Sequence, residues 1–256
     1  MLCLIVLECV LYVLINNIFR VHNIILLKAF KKLMIKENIE SIRQTLPEGV
    51  RLVAVSKLKP GEDIMDAYAA GQRAFGENYA TELRDKAAVL PKDIEWHFIG
   101  HLQGKQLKYY MPFVSMIHGV DSIEHLEEVE KAAAKVGRRV DVLLQVHVAQ
   151  EETKFGFAPD ELLDFHFSLF TFHFVRICGV MGMASNTPDQ ARVRDDFRRI
   201  RQVFEALKTG VFAGKEEFKE VSMGMSHDYR IAVEEGSTMV RIGSSIFGAR
   251  DYSKKK

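Results

Sequence analysis

The chain of 256 residues is 48% hydrophobic and 27% charged, with a formal net charge of +1. That is ordinary globular composition, enough for one large domain or two small ones. Without a basic stripe or an Arg-rich tail, it excludes nucleic acid as the default partner. Three cysteines, Cys3, Cys9 and Cys178, make no disulfide framework, no CxxC pair and no zinc spacing. Such sparse usage points to a reducing cytoplasm.

Residues 1–33 differ in character from the rest of the chain. Met1 to Ile15 is almost wholly apolar, broken by Glu8, and a second apolar patch runs from Val21 to Leu27. The first run is short against the roughly 20 residues of a membrane span. It also lacks the basic start and the cleavage site of a signal peptide. A membrane or interfacial anchor, a packing helix and a start placed too far upstream are the three readings. The last is favoured, because the amphipathic segment opening at Met34 needs nothing before it. Residues 34–256 carry 31 basic and 33 acidic residues and no membrane signal.

From Met34 the elements alternate. Ile35, Ile39, Ile42 and Leu46 recur at helical spacing. Leu52 to Val55 is a short buried strand that runs into Lys57, and Pro60-Gly61 opens the next helix, Asp63 to Ala70. Arg73 to Phe75 is strand two, Thr81 to Leu90 a helix, Glu95 to Gly100 strand three, and Lys105 to Met111 a short helix. Val114 to His118 is strand four, and Ile123 to Val136 a helix ended by Gly137. Val140 to Val148 is strand five, followed by a helix from Pro159 to about Phe172. Ile177 to Met181 is strand six and Asp189 to Leu207 a long charged helix. Lys219 to Ser222 is strand seven, Asp228 to Glu235 a helix, and Thr238 to Ile242 strand eight. Eight strand-plus-helix units imply a parallel sheet covered on both faces. At this length they predict a single closed (β/α)8 barrel over residues 34–256. The absence of G-x-G-x-x-G after strand one argues against an open dinucleotide-binding sheet.

Such a barrel places its site at the carboxyl ends of its strands. Lys57 lies there on strand one. Partial desolvation, with Lys59 as a second cation nearby, is expected to favour its neutral, nucleophilic form. Asn78 follows strand two. His97, His118 and His147 lie on strands three, four and five and read as structural. No metal-ligand spacing occurs. Ser222-Met-Gly224-Met-Ser226 and Gly243-Ser244-Ser245 leave strands seven and eight, the usual place of a phosphate site in this fold. Arg241 is a fixed cation in the same mouth, able to donate to a ring nitrogen and keep it unprotonated. His166 and His173, set among phenylalanines, are expected on a helix face against the barrel. Lys154-Phe-Gly156-Phe is expected as a loop on the rim.

Taken together, Ala54-Val-Ser-Lys57-Leu-Lys-Pro60, Phe75-Gly-Glu-Asn-Tyr79, Trp96-His-Phe-Ile-Gly-His-Leu-Gln103, Glu152-Thr-Lys-Phe-Gly156, Gly179-Val-Met-Gly-Met183, Ser222-Met-Gly-Met-Ser-His-Asp228 and Gly236-Ser-Thr-Met-Val-Arg-Ile-Gly243 span most of the chain. In these segments the sequence resembles the pyridoxal phosphate homeostasis proteins, relatives of the alanine racemase barrel domain. The resemblance implies pyridoxal 5′-phosphate (PLP) as cofactor, held by Lys57 as a Schiff base. It implies that Asn78 lies near the ring's phenolic oxygen and that Ser222, Gly243 and Ser244 bind phosphate, with Arg241 facing the pyridine nitrogen. Gly104-Lys105-Gln106 stands where the family usually has an Asn-Lys pair, so Lys105 or Lys108 is the expected substitute.

The chain ends almost as the barrel closes, so the second domain that supplies a racemase's opposing tyrosine is expected to be missing, with Tyr79 or Tyr229 as the remaining candidates. The lead reading is therefore a cytoplasmic, monomeric protein that buffers PLP and delivers it to PLP-dependent apoenzymes. The alternatives are a PLP-dependent enzyme with modest amino-acid racemase activity and a cofactor-free Schiff-base aldolase.

Overall fold

Eight parallel strands close into one barrel in sequence order: β1 (Arg51–Val55), β2 (Ala74–Glu77), β3 (Glu95–Phe98), β4 (Met116–Val120), β5 (Val140–Val146), β6 (Val175–Gly182), β7 (Glu220–Ser222) and β8 (Met239–Ile242). The computed structural model describes residues 2–149, 155–164 and 171–249, with 2–21 and 24 described by their backbone alone. The helices are α1 (Leu2–Thr45), α2 (Gly61–Ala69), α3 (Ala80–Val89), α4 (Leu107–Tyr110), α5 (Ile123–Val136), α6 (Pro159–Asp164), α7 (Gln190–Thr209), α8 (Tyr229–Glu234) and α9 (Ser244–Phe247). β8 pairs with β1, setting Val53 beside Arg241. The expected barrel is what forms.

The strand interiors are nearly all apolar because both faces are covered. Side chains alternate between the barrel lumen and the helical shell. At the amino-terminal end, Arg51–Glu220 (3.1 Å) and Arg176–Asp141 (2.7 Å) make ion pairs. Above them Val53, Met116, Leu143, Cys178, Met181 and Met239 pack together. That leaves the opposite end for polar groups.

Local signals explain most helix ends. Ser122 Oγ accepts from the His125 N–H and Gly137, at φ +63°, closes α5. Asp189 accepts from Ala191 and Arg192 at the start of α7. α1 begins far upstream of Met34, at Leu2; among its described side chains burial starts at Ile35, with Ile35, Ile39 and Ile42 in the core and Ile25, Leu26, Leu27, Phe30 and Leu33 exposed. Lys28–Glu62 and Lys31–Asp63 tie that exposed segment to α2. Among the described residues, no helix is long and apolar enough to cross a membrane.

Two expectations needed correction. β4 starts at Met116, two residues later than its apolar run suggests. Val114 N–H donates to Tyr110 O, extending the turn after α4, and Arg138 donates to Met111 O and Val114 O. The helix expected from Pro159 to about Phe172 does not extend that far: Thr171, Phe172, His173 and Phe174 are not helical, and residues 165–170 lie outside the described residues. The Glu130 carboxylate accepts the N–H groups of His173, Phe174 and Val175, which fixes that stretch as the entry to β6. His166 and Lys154 lie outside the described residues.

Candidate functional site

Lys57 sits in the turn just past β1, half-buried. Its neighbour Leu58 has φ +60°, the one non-glycine residue in that region among the described residues. A leucine held there costs about 1–3 kcal/mol and persists only where the surroundings fix it. They do: Leu58 N–H donates to Glu82 Oε1 at 2.7 Å. Lys59 has a structural role of its own in this turn. Its Nζ donates to the carbonyls of Phe247 (2.9 Å), Gly248 (3.1 Å) and Ala249 (2.6 Å), at the carboxyl end of α9. The Lys57 turn is thereby tied to the segment that leaves β8.

Beneath this turn lies a buried polar chain inside the barrel. Arg241 donates from Nη1 to Ser222 O and Oγ, both at 2.7 Å, and from Nη2 to Gly182 O at 3.1 Å. Ser222 Oγ is 3.1 Å from His118 Nδ1, and His118 Nε2 is 2.8 Å from His97 Nδ1. Arginine can only donate, so the Ser222 hydroxyl accepts from it and is free to donate onward to His118. Burial holds both imidazoles neutral: His97 falls to about 3 and His118 well below its usual value. Burial also lowers Arg241 to about 10, against the pull of Asp228, which still leaves it charged at neutral pH.

The same geometry shows what three residues named in the sequence touch. His118 lies within β4 in a hydrogen-bonded pair, not at a strand end. Ser222 is fully buried, and its hydroxyl contacts Arg241 and His118 instead of the turn after β8. The hydroxyl at that turn is Ser226, which the sequence showed only as the far end of the Ser222-x-Gly-x-Ser226 motif. Its Oγ accepts from the N–H groups of Gly243 (3.3 Å) and Ser245 (3.5 Å). Gly224, at φ +96° with a would-be Cβ 2.6 Å from Ala232 Cβ, lets the chain turn there. Ser244 and Ser245 are exposed beside it.

On the β2–β3 side, Asn78 Oδ1 is buried without a partner. A Cβ on Gly100 would lie 2.1 Å from the Asn78 carbonyl oxygen, so only glycine allows this close approach. His101 stacks on Phe155 at 3.7 Å and reaches Asp121, which also holds His125. Among the described residues no group of three such side chains could hold a metal ion. Tyr229 faces away from the mouth: its hydroxyl meets Thr45 Oγ1 on α1 at 3.0 Å. Tyr79 lines an outer groove with Lys59 and Glu82.

The family model for the alanine racemase N-terminal domain matches residues 33–251. The pyridoxal phosphate homeostasis protein of Pasteurella multocida is 36% identical, over 86% of this chain and 99% of its own length. That of Bos taurus is 42% identical, over 80% of this chain and 79% of its own. The chain belongs to the pyridoxal phosphate homeostasis protein family. Solved PipY of Synechococcus elongatus, 36% identical, covers 84% of this chain and 100% of its own, with a TM-score of 0.79 without PLP and 0.76 with PLP bound. At this homeostasis family's usual Asn-Lys position, Gly104 lies against the Glu128 carboxylate. Neither expected substitute reaches into the mouth by a visible contact: Lys105 is exposed, and the Lys108 ammonium lies 5.1 Å from the Tyr109 ring.

Proposed function

We propose that residues 34–256 bind PLP, hold it through the Lys57 amine as a Schiff base, and serve its buffering and delivery to PLP-dependent apoenzymes. The observation that carries this reading is the Lys59 bridge, which ties the Lys57 turn to the Ser226-bonded N–H groups after β8. A lysine amine and an anion-binding turn are thus kept at one barrel mouth. The residues present fit the cofactor. The unpartnered Asn78 Oδ1 offers a buried polar contact, the Gly243 and Ser245 N–H groups, held only by long bonds to Ser226 Oγ (3.3 and 3.5 Å), would turn to a phosphate in its place, and a charged Arg241 suits a ring nitrogen. Within the site residues Lys57, Asn78, Ser222, Arg241, Gly243 and Ser244, we assign Ser222 to holding Arg241 and add Ser226 to the phosphate turn.

When bound, the cofactor supplies an aldehyde for the amine and a ring that withdraws electrons. Arg241 keeps its own proton and so gives the ring nitrogen a hydrogen bond without protonating it. That arrangement weakens electron withdrawal and favours holding over fast proton transfer. Tyr229, committed to Thr45, does not serve as an opposing acid or base. On this reading the protein works as a cytoplasmic monomer, with residues 1–33 outside the working unit.

Titration with PLP is expected to give wild-type protein a visible absorption band that Lys57→Ala lacks. The loaded protein, incubated with single L-amino acids, is expected to form D-isomers far more slowly than about 1 s⁻¹, the low end of ordinary enzyme turnover. Turnover at or above that rate would replace the delivery reading with the racemase one.

A further inference from the structure

A second buried polar cluster lies outside the barrel lumen, between β1, β2 and α3. Glu77, at the end of β2, is fully buried, and Lys86 on α3 is 9% exposed. The Lys86 ammonium has three N–H donors, and each has an acceptor: Ser56 O at 2.8 Å, Glu77 Oε1 at 2.7 Å and Glu82 Oε1 at 2.6 Å. The Ser56 hydroxyl donates to Glu77 Oε1 at 2.6 Å, and Leu58 N–H donates to Glu82 Oε1 at 2.7 Å. The cluster thus grips Ser56 through its carbonyl and hydroxyl, and Leu58 through its amide. These residues flank Lys57 on either side.

Burying the Glu77 carboxyl group and the Lys86 ammonium, with Glu82 half-buried beside them, is costly and is not a route to stability in itself. A purely structural role would be met as well by apolar packing. The cluster's contacts fall instead on a turn whose Leu58 is held at φ +60°. We infer that Lys86, with Glu77 and Glu82, positions Lys57: it fixes the two residues beside it in a strained turn and so sets where the amine stands in the barrel mouth. The inference rests on the proposed role of Lys57 as anchor. Loss of the grip lets the turn relax toward an ordinary conformation and withdraws the amine from its bound position. Lys86 and Glu82 touch no cofactor in this arrangement; they act through Lys57.

The test is the release of PLP from the loaded full chain, followed as loss of protein-bound visible absorbance after dilution, with thermal unfolding measured alongside. Glu82→Ala removes the acceptor for Leu58 N–H and is expected to speed release about tenfold, the effect of losing one charge-assisted hydrogen bond. Glu82→Gln keeps an acceptor oxygen and is expected to stay within about twofold of wild type. Lys86→Met is expected to behave like Glu82→Ala, and if it does not fold, the Glu82 pair decides. Val129→Ala, which loosens α5 on the side of the barrel opposite β1, is expected to lower thermal stability without changing release. Unchanged release in Glu82→Ala, with the cofactor bound on Lys57, overturns the positioning role alone. Retention of covalent PLP by Lys57→Ala overturns the anchor reading and the positioning role with it.

Discussion

Two buried charges bracket the site, and they are held differently. Arg241 sits among carbonyl and hydroxyl acceptors and keeps its proton, so it is a permanent cation in the lumen. Glu77 is pushed up to about 7 by burial, against the pull of Lys86 and with Glu82 adding to the rise. Its second oxygen has no partner, which is part of that cost. A carboxyl whose pKa is higher folded than unfolded binds more protons in the native state. Its contribution is therefore favourable below about 4.5 and is lost as pH rises through about 7. Glu77→Gln does not titrate. Its stability relative to wild type is expected to improve by on the order of 1–3 kcal/mol between pH 5 and pH 8. Urea unfolding at the two pH values checks the sign; a difference that shrinks or reverses would mean that Glu77 is ionised throughout. The position of Lys57 just past β1 was legible in the sequence, because a lysine after an apolar run is conspicuous. The different contacts of Ser222 and Ser226 were not, since both are hydroxyls in one short motif. What separates them is where β7 stops: Ser222 is its last residue, paired with Met181 and Met239, and Ser226 lies in the loop beyond.

At the scale of elements, hydrophobic period carried most of the information. α5 ran from Ile123 to Val136 as its cap residues indicated. β4 was displaced because Val114-Ser-Met-Ile-His reads as one apolar run, and the capture of Val114 by Tyr110 and Arg138 is a tertiary event. The Glu77–Lys86 contact joins a strand to a helix nine residues on, a spacing that no local pattern marks. α1 shows where packing begins within one continuous helix. Ile39 is fully buried and Phe30 is 63% exposed. Ile39→Ala is expected to cost about 2–5 kcal/mol, and Phe30→Ala no more than about 0.5 kcal/mol. Chemical denaturation of both variants tests this. A comparable loss at Phe30 would place the exposed segment of α1 in the folded core.

At the scale of the whole molecule, closure of the barrel brings Lys57, Asn78, Ser226 and Gly243 to one end although they are spread over nearly 200 residues of chain. The closing contact is between β1 and β8, the two strands whose trailing turns Lys59 joins. The ion-paired amino-terminal end and the methionine layer above it seal the barrel from the other side. The fold was legible from eight repeats of strand and helix. The wiring of the mouth was not, because it depends on which strand ends meet. The central claim is that Lys57 is the anchor. Borohydride reduction of the PLP-loaded protein, followed by peptide mass mapping, tests it most directly. The pyridoxyl group is predicted on the peptide that carries Lys57, at Lys57 itself; a principal adduct on Lys59, Lys105 or any other lysine would contradict the account.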